Sequence, residues 1–228
     1  MNFFDLVIRR RDMVTVGNLF ILGDSYSTFE ECIPEGYEYW YSRHYADDVN
    51  PPTDVNQANQ TWWYQFVEET DAHLVLNSSY SGTTICHTGY NGEDCSYKSF
   101  IARLDQLIDE DFFARHSIDT FIIFGGTNDS WANAPIGEIQ YSDWKKEELY
   151  SVLPAFCYLL HRVKKHLPNT RILVVINTDL KREIVEGFRA ACETYGVEGV
   201  ELQAIDKMNG HPSAAGMKQI KEQVLHHI

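Results

Sequence analysis

Four residues of the types that carry out acyl transfer each follow a short apolar segment of the sequence. They are Ser25 in a Gly-Asp-Ser run, Gly82 in Ser-Gly-Thr-Thr, Asn128 in Gly-Thr-Asn-Asp and His211 in His-Pro. Open parallel sheets bind their ligands beyond the carboxyl ends of the strands, which is where such residues would lie. If the apolar segments are parallel strands, all four residues meet at one edge of the sheet.

The chemistry that this set supports is ester cleavage through a covalent intermediate. The Ser25 hydroxyl is a weak nucleophile that needs an adjacent base, and His211 is the candidate base. The backbone N–H groups of Ser25 and Gly82 and the side-chain amide of Asn128 are candidate oxyanion donors. Each residue taken alone has a simpler explanation, such as turn geometry or a helix cap. Their joint placement after successive strands is what favours catalysis.

The elements that must position these residues alternate between strand and helix patterns. Short β-branched and aromatic runs predict strands, and longer amphipathic stretches predict helices. The predicted strands are 19–22, 74–76, 120–124, 172–176 and a weaker one within 197–205, and the predicted helices are 62–69, 99–108, 144–166 with a break at Pro154, 181–195 and 213–227. This order predicts an α/β protein, a three-layer α/β/α sandwich around a parallel sheet of about five strands.

One aromatic segment does not fit this alternation. Residues 37–52 carry four tyrosines and one tryptophan and end in Asn-Pro-Pro, without a helical or strand period. We expect an excursion above the sheet with a functional role. In and beside it, Tyr26, Trp40, Tyr41 and Tyr80 are candidate substrate-binding residues, which would stack on sugar rings or line an acyl pocket. Ordinary packing of a loop onto the sheet explains these aromatic residues equally well.

Composition and charge narrow the class of protein. The chain has 228 residues, 44% of them hydrophobic, which suits a single domain over 19–228 after an N-terminal extension over 1–18. The net charge of −14 disfavours nucleic-acid binding. No apolar run approaches the roughly 20 residues that span a membrane. The N-terminus lacks a secretory pattern, so we expect a cytoplasmic protein, or a periplasmic or secreted one if a signal peptide has been removed.

The cysteines and histidines show no metal-site pattern. The five cysteines are widely spaced without a Cys-x-x-Cys pair, which favours reduced thiols, and Cys86–Cys95 is the one local bridge to expect in an exported protein. The histidines are not spaced as metal ligands. We therefore expect no metal and no cofactor.

In its four motifs the sequence resembles the SGNH hydrolases, the GDSL-type esterases and lipases. The match runs from Gly23-Asp24-Ser25 through Ser81-Gly82 and Gly126-Thr127-Asn128-Asp129 to His211-Pro212. The resemblance implies a flavodoxin-like sheet, metal-free ester hydrolysis through an acyl-enzyme, and an oxyanion hole formed by Ser25, Gly82 and Asn128. No long apolar stretch resembles a lipid-interface lid, which favours a small-molecule or carbohydrate ester with a short acyl group such as acetyl.

The third member of the catalytic triad departs from the family pattern. The family usually places an aspartate three residues before the histidine, where this sequence has Met208. Asp206 is the nearest carboxylate, and it reaches His211 only if the Asn-Gly pair between them forms a turn. The alternative is a Ser–His dyad in which a backbone carbonyl orients the imidazole.

Two functions of other classes compete with the esterase. A flavodoxin-like protein could bind FMN or another phosphate ligand through Ser25, Ser27 and Thr28 in the first loop. This alternative gives no role to Asn128 or His211. A catalytically inactive relative would keep the aromatic residues and bind carbohydrate without turnover.

Overall fold

The computed structural model describes residues 15–44 and 53–228 of the chain. Residues 1–14 of the predicted extension and 45–52 of the predicted aromatic excursion lie outside this range. The strands are β1 Asn18–Gly23, β2 His73–Ser79, β3 Thr120–Gly125, β4 Arg171–Ile176, β5 Glu198–Glu201, β6 Lys207–Met208 and β7 His211–Pro212. The helices are α1 Trp62–Thr70, α2 Phe100–Asp109, α3 Phe112–Arg115, α4 Thr127–Trp131, α5 Val152–His166, α6 Arg182–Tyr195 and α7 Ala214–Leu225.

The central sheet has five parallel strands in the order β2-β1-β3-β4-β5. This order, with helices on both faces, confirms the predicted three-layer α/β/α sandwich with a flavodoxin-like sheet. The chain reverses its direction of travel across the sheet between β1 and β3, and this switch point is where open α/β sheets form their ligand crevice. Ser25 follows β1 and Asn128 follows β3, so both lie at this crevice.

Alternate side chains of β1, β3 and β4 pack into two separate layers of the core. In β1, Phe20 and Leu22 pack with the layer of α2, α5 and α6, whereas Leu19 and Ile21 pack with the layer of α1 and α7. All four side chains are fully buried. Strands buried on both faces have continuous apolar sequences rather than alternating ones, which is why the sequence located them.

The predicted helix 144–166 is shorter in the structure and divided in two. A 3-10 turn covers Lys146–Tyr150, and α5 begins at Val152. Pro154 lies in the first turn of α5, where its missing N–H removes no bond within the helix. The break therefore precedes the proline instead of occurring at it.

None of the helices within residues 15–44 and 53–228 is long and apolar enough to cross a bilayer.

All five cysteines have free thiols, including Cys86 and Cys95. Burial raises the pKa of the Cys86 thiol far above its ordinary value.

A buried arginine in α2 fastens the carboxyl ends of β1 and β2. The Arg103 side chain lies on the apolar face of the helix and is only 2% exposed. Its guanidinium donates hydrogen bonds to the Gly23 carbonyl at 3.1 Å, to the Thr83 hydroxyl at 3.2 Å and to the Ser78 carbonyl. Burial lowers its pKa to about 10, so it stays charged at neutral pH. The strand ends that carry the candidate site are thus held by one cation.

We expect Arg103→Met to lower the free energy of unfolding by about 3 kcal/mol, because hydrogen bonds from a charged donor contribute about 1.5–3 kcal/mol each. Urea unfolding followed by circular dichroism measures the change. Arg115→Met, which removes an exposed arginine from α3, is the matched control. Equal unfolding midpoints for the two variants would contradict this role of Arg103.

Candidate active site

The candidate nucleophile lies in a tight turn directly after β1. Ser25 begins a 3-10 turn, and the Asp24 carboxylate caps this turn by accepting the Tyr26 N–H at 3.0 Å. Ser25 is 2% exposed, and its Oγ lies 2.9 Å from Nε2 of His211. The structure therefore joins the predicted nucleophile and the predicted base by a hydrogen bond of ordinary length.

The candidate base is held by a small antiparallel hairpin formed by β6 and β7. Asn209 and Gly210 connect these strands with φ angles of 51° and 81°, as a two-residue Asn-Gly turn requires. The Tyr26 hydroxyl donates to the Gly210 carbonyl at 2.6 Å, and the Tyr41 hydroxyl donates to the Pro212 carbonyl at 2.8 Å. The backbone on both sides of His211 is thus fixed by buried phenols.

The register of this hairpin decides the role of Asp206. Met208 pairs with His211 across the two strands and Lys207 pairs with Pro212, so Asp206 lies two positions beyond Met208, where its carbonyl accepts the Ser213 N–H at 3.1 Å. Its carboxylate accepts the Ser213 hydroxyl and not the imidazole. In the part of the chain that the structure describes, Nδ1 of His211 faces only the Asn209 carbonyl, at 3.4 Å. The Asn-Gly turn forms as expected, yet it does not bring Asp206 to His211, and the geometry corresponds to the dyad.

We expect Asp206→Asn to keep the rate of ester hydrolysis within about threefold of wild type. The Asp206 carboxylate is exposed and accepts the Ser213 hydroxyl, so its replacement does not change a contact of the imidazole. His211→Ala, by contrast, should lose activity by about 10³-fold or more. Initial rates of nitrophenyl acetate cleavage measure both. Equal losses for the two variants would restore Asp206 to the triad.

The surroundings of His211 favour its neutral form. The side chain is 5% exposed, and burial lowers its pKa to about 4, with a smaller contribution from the positive charge of Lys207. The Asn209 carbonyl opposes this shift, because it accepts a hydrogen bond from the ring and so favours the protonated form. Neutral imidazole is the form that accepts the Ser25 proton, so the base is available well below neutral pH.

We expect kcat/KM to stay level from neutral pH down to about 5 and to fall with a midpoint near 4, because protonation of His211 removes the base. The pH profile of nitrophenyl acetate hydrolysis tests this. Enzyme held at each pH and then assayed at neutral pH separates titration from unfolding. A midpoint near 6.5, the ordinary pKa of histidine, would contradict the effect of burial.

The candidate oxyanion donors converge on the loop after β2. Gly82 has a φ of 74°, and the space that a Cβ would occupy there is open. The Asn128 amide donates to the Thr83 carbonyl at 3.0 Å, which places it next to Gly82. Within the described residues, neither the Ser25 N–H nor the Gly82 N–H donates a hydrogen bond. These two groups and the second amide hydrogen of Asn128 are available to a ligand.

A tyrosine that the sequence did not single out sets the direction of the Asn128 amide. The Tyr90 hydroxyl donates to Oδ1 of Asn128 at 2.7 Å. Because the oxygen is occupied by this donor, the NH₂ group must face Thr83 and the site. Burial raises the pKa of Tyr90 to about 12, so the phenol remains a donor across the working range of an esterase.

Two buried carboxyl groups border the same crevice. Asp129 accepts the N–H groups of Ile85 and Cys86 and so holds the loop after β2 against α4. Burial raises the pKa of Asp129 to about 6 and that of Asp24 to about 7, and the mutual repulsion of the two carboxylates contributes to the Asp24 shift. Oδ2 of Asp24 has no hydrogen-bond partner in the described part of the chain. Both carboxyl groups beside the crevice therefore hold their protons more strongly than ordinary aspartates do.

The aromatic residues that were expected to bind substrate divide into two groups. Tyr26 and Tyr41 are fully buried and use their hydroxyls to hold the hairpin, so they offer no ring face to a ligand, contrary to expectation. Tyr80 is partly exposed and stacks on Tyr37 with ring centroids 4.7 Å apart. Trp40 stacks on His211.

The rings that remain exposed at the crevice were not predicted. Trp131 is 44% exposed and lies edge-on to His211, with centroids 5.6 Å apart. Tyr90 is 38% exposed beside Asn128. These two rings form the apolar rim of the site.

A parallel α/β/α fold with a Ser–His pair at its switch point defines a class of serine ester hydrolases, and the comparisons with known proteins agree. The family model for GDSL-like lipases and acylhydrolases matches residues 17–228. The chain therefore belongs to the GDSL-like lipase/acylhydrolase family and is a serine ester hydrolase. No curated protein matches it.

Solved structures show the same relationship. Proteins named as GDSL-like lipases from Bacteroides ovatus and Bacteroides uniformis are each 43% identical to this chain with a TM-score of 0.85, and the alignments cover 93% of it and 97% and 95% of theirs. An acetyl xylan esterase from the rumen bacterium Butyrivibrio proteoclasticus shares the fold at 19% identity with a TM-score of 0.55, over 94% of this chain and 64% of that one.

Proposed function

We propose that this esterase removes a short acyl group, such as acetyl, from a carbohydrate ester, with Ser25 as nucleophile and His211 as base. The observation that carries the proposal is the 2.9 Å hydrogen bond between Ser25 Oγ and His211 Nε2, formed between two buried side chains. A serine hydroxyl becomes an effective nucleophile when a neutral imidazole accepts its proton. The lowered pKa of His211 keeps the imidazole in that form.

The proposed reaction has two steps, each of which uses the same residues. Ser25 Oγ attacks the ester carbonyl while His211 takes its proton, and the oxyanion is held by the N–H groups of Ser25 and Gly82 and by Asn128. His211 then gives the proton to the leaving alcohol, and an acyl group remains on Ser25. Water attacks this acyl-enzyme with His211 again as base, which releases the acid and restores the serine.

The surroundings of Ser25 support a small acyl group and a ring-shaped alcohol. Ser25 is only 2% exposed, and such a buried hydroxyl favours a small acyl group such as acetyl over a long chain. The exposed faces of Trp131 and Tyr90 at the rim are of the kind on which sugar rings stack. Fold relatives that are named as a carbohydrate esterase and an acetyl xylan esterase point toward the same substrates.

The first-loop hydroxyls do not support the phosphate-binding alternative. Ser25 is hydrogen-bonded to His211, Ser27 accepts the Trp62 indole N–H at 3.0 Å, and Thr28 donates to the Ser25 carbonyl at 3.0 Å. All three hydroxyls are therefore used within the protein. The buried Asp24 carboxyl next to them would repel a phosphate once ionised.

Hydrolysis of nitrophenyl acetate, butyrate, octanoate and dodecanoate, together with release of acetate from acetylated xylo-oligosaccharides, tests the proposal. We expect acetate to react fastest and the rate to fall as the chain lengthens. Ser25→Ala should lower kcat by about 10⁴-fold or more, because the nucleophile is gone. Ser96→Ala, at an exposed serine of the loop after β2, should behave as wild type.

Three outcomes would contradict the proposal. A Ser25→Ala protein with wild-type activity would remove Ser25 as nucleophile. A preference for dodecanoate over acetate would exclude the short acyl group. Binding of the oligosaccharides without any turnover would identify the inactive carbohydrate-binding relative instead.

A further inference from the structure

Within residues 15–44 and 53–228, no carboxylate gives the base of the proposed reaction the support of a triad aspartate. Such a carboxylate fixes the plane of the imidazole and stabilises the positive charge that forms in the transition state. Among the described residues, Nδ1 of His211 has only the Asn209 carbonyl at 3.4 Å, longer than the 2.7–3.2 Å of an ordinary N–H···O bond. Apart from the Ser25 hydroxyl at Nε2, the other described contacts of the ring are with aromatic side chains.

An aromatic ring lies flat against the imidazole. The centroids of Trp40 and His211 are 3.5 Å apart and the two planes differ by 9°. Tyr26 contacts the same imidazole at 5.3 Å, and Tyr41 and Trp131 contact it edge-on at 6.4 Å and 5.6 Å. We call these four residues the ring cluster. Trp40 is the only member of the ring cluster that is parallel to His211 and in full face contact with it.

The position of Trp40 is tied to the nucleophile through one hydroxyl. The Trp40 N–H donates to Thr28 Oγ1 at 2.9 Å, and the same hydroxyl donates to the Ser25 carbonyl at 3.0 Å. Thr28 is fully buried. Two hydrogen bonds thus join the Trp40 N–H to the Ser25 carbonyl through the Thr28 hydroxyl. They hold the stacked indole at a fixed position relative to the nucleophile.

We propose that Trp40 is the positioning residue of the base: its indole face sets the plane of His211 and stabilises the imidazolium, the two tasks that a triad aspartate performs elsewhere. The proposal rests on the proposed function, because it assigns a role within the same reaction. It also changes the role of Trp40 from the expected substrate contact to a contact with the base.

The electrostatics of an aromatic face make this support selective for the transition state. A cation over an indole face is attracted by the ring quadrupole, by about 0.5–2 kcal/mol, whereas neutral imidazole gains no such attraction. The imidazole becomes a cation only while it holds the Ser25 proton. The interaction therefore stabilises the transition state more than the ground state, and this difference accelerates the reaction. Among the charged groups of the described residues, Lys207 disfavours the imidazolium, and no carboxylate contributes to its stabilisation.

The test compares Trp40→Leu, Trp40→Phe and wild type in the full chain, with nitrophenyl acetate as substrate. Trp144→Leu is the matched control, because Trp144 is another partly buried tryptophan that contacts a histidine, His161, at 5.2 Å outside the candidate site. We expect Trp40→Leu to lower kcat by about tenfold with little change in KM, consistent with the loss of a cation–π contact. Trp40→Phe keeps a ring face and should restore most of this loss.

Two further readouts separate positioning from general structure. The acid limb of kcat/KM should move to lower pH in Trp40→Leu, because leucine keeps an apolar cover over the imidazole while the imidazolium loses the ring face that stabilises it. The ring-proton signals of His211 in NMR spectra should lie upfield in wild type and Trp40→Phe through the ring current of the stacked residue. They should move downfield in Trp40→Leu and stay unchanged in Trp144→Leu.

The outcomes distinguish this proposal from the proposed function. Wild-type kcat and an unshifted acid limb in Trp40→Leu would overturn the role of Trp40 and leave the esterase intact. If Trp40→Leu does not fold, a Trp40→Phe variant that loses as much activity as His211→Ala would likewise overturn it. Absence of hydrolysis by wild type would overturn the proposed function itself, whatever the NMR signals of His211 show.

Discussion

The geometry of the site depends on one buried cation. The Arg103 guanidinium binds the carbonyl of Gly23 at the end of β1 and the hydroxyl of Thr83 in the loop after β2. Ser25 lies two residues beyond the first of these groups, and Gly82 directly precedes the second. The Thr83 carbonyl in turn receives the Asn128 amide. Three of the four residues of the site are therefore positioned relative to a single rigid donor, whose planar fork suits several acceptors at once.

His211 is positioned by contacts that do not involve Arg103. It comes from the hairpin before α7, and this hairpin is held from the β1 side by the phenols of Tyr26 and Tyr41. The distance between nucleophile and base thus depends on apolar packing as well as on hydrogen bonds. A buried ring environment holds an imidazole without the cost of burying a second charge beside it. It also explains why the base stays neutral, since the same burial lowers its pKa.

The sequence could predict the layers of the fold and the pairing of Ser25 with His211, because strands buried on both faces leave continuous apolar runs and the polar residues follow them. It could not predict the partner of Asp206, which depends on the register of a hairpin only two residues long on each side. Nor could it predict the burial of Tyr41, because this depends on the path of a segment without a helical or strand period. The burial of Arg103 is indicated in the sequence, because this charged residue lies among the apolar positions of the helical pattern of α2.

The register of the hairpin also has an evolutionary consequence. Met208 lies directly across from His211, where side chains of an antiparallel pair share one face of the ladder, and this is the position at which the family usually has its aspartate. Met208 is 37% exposed, so a smaller acidic side chain would fit there without disturbing the core. In evolutionary terms, a substitution at this one cross-strand position is therefore enough to place a carboxylate on the face of the hairpin that carries His211.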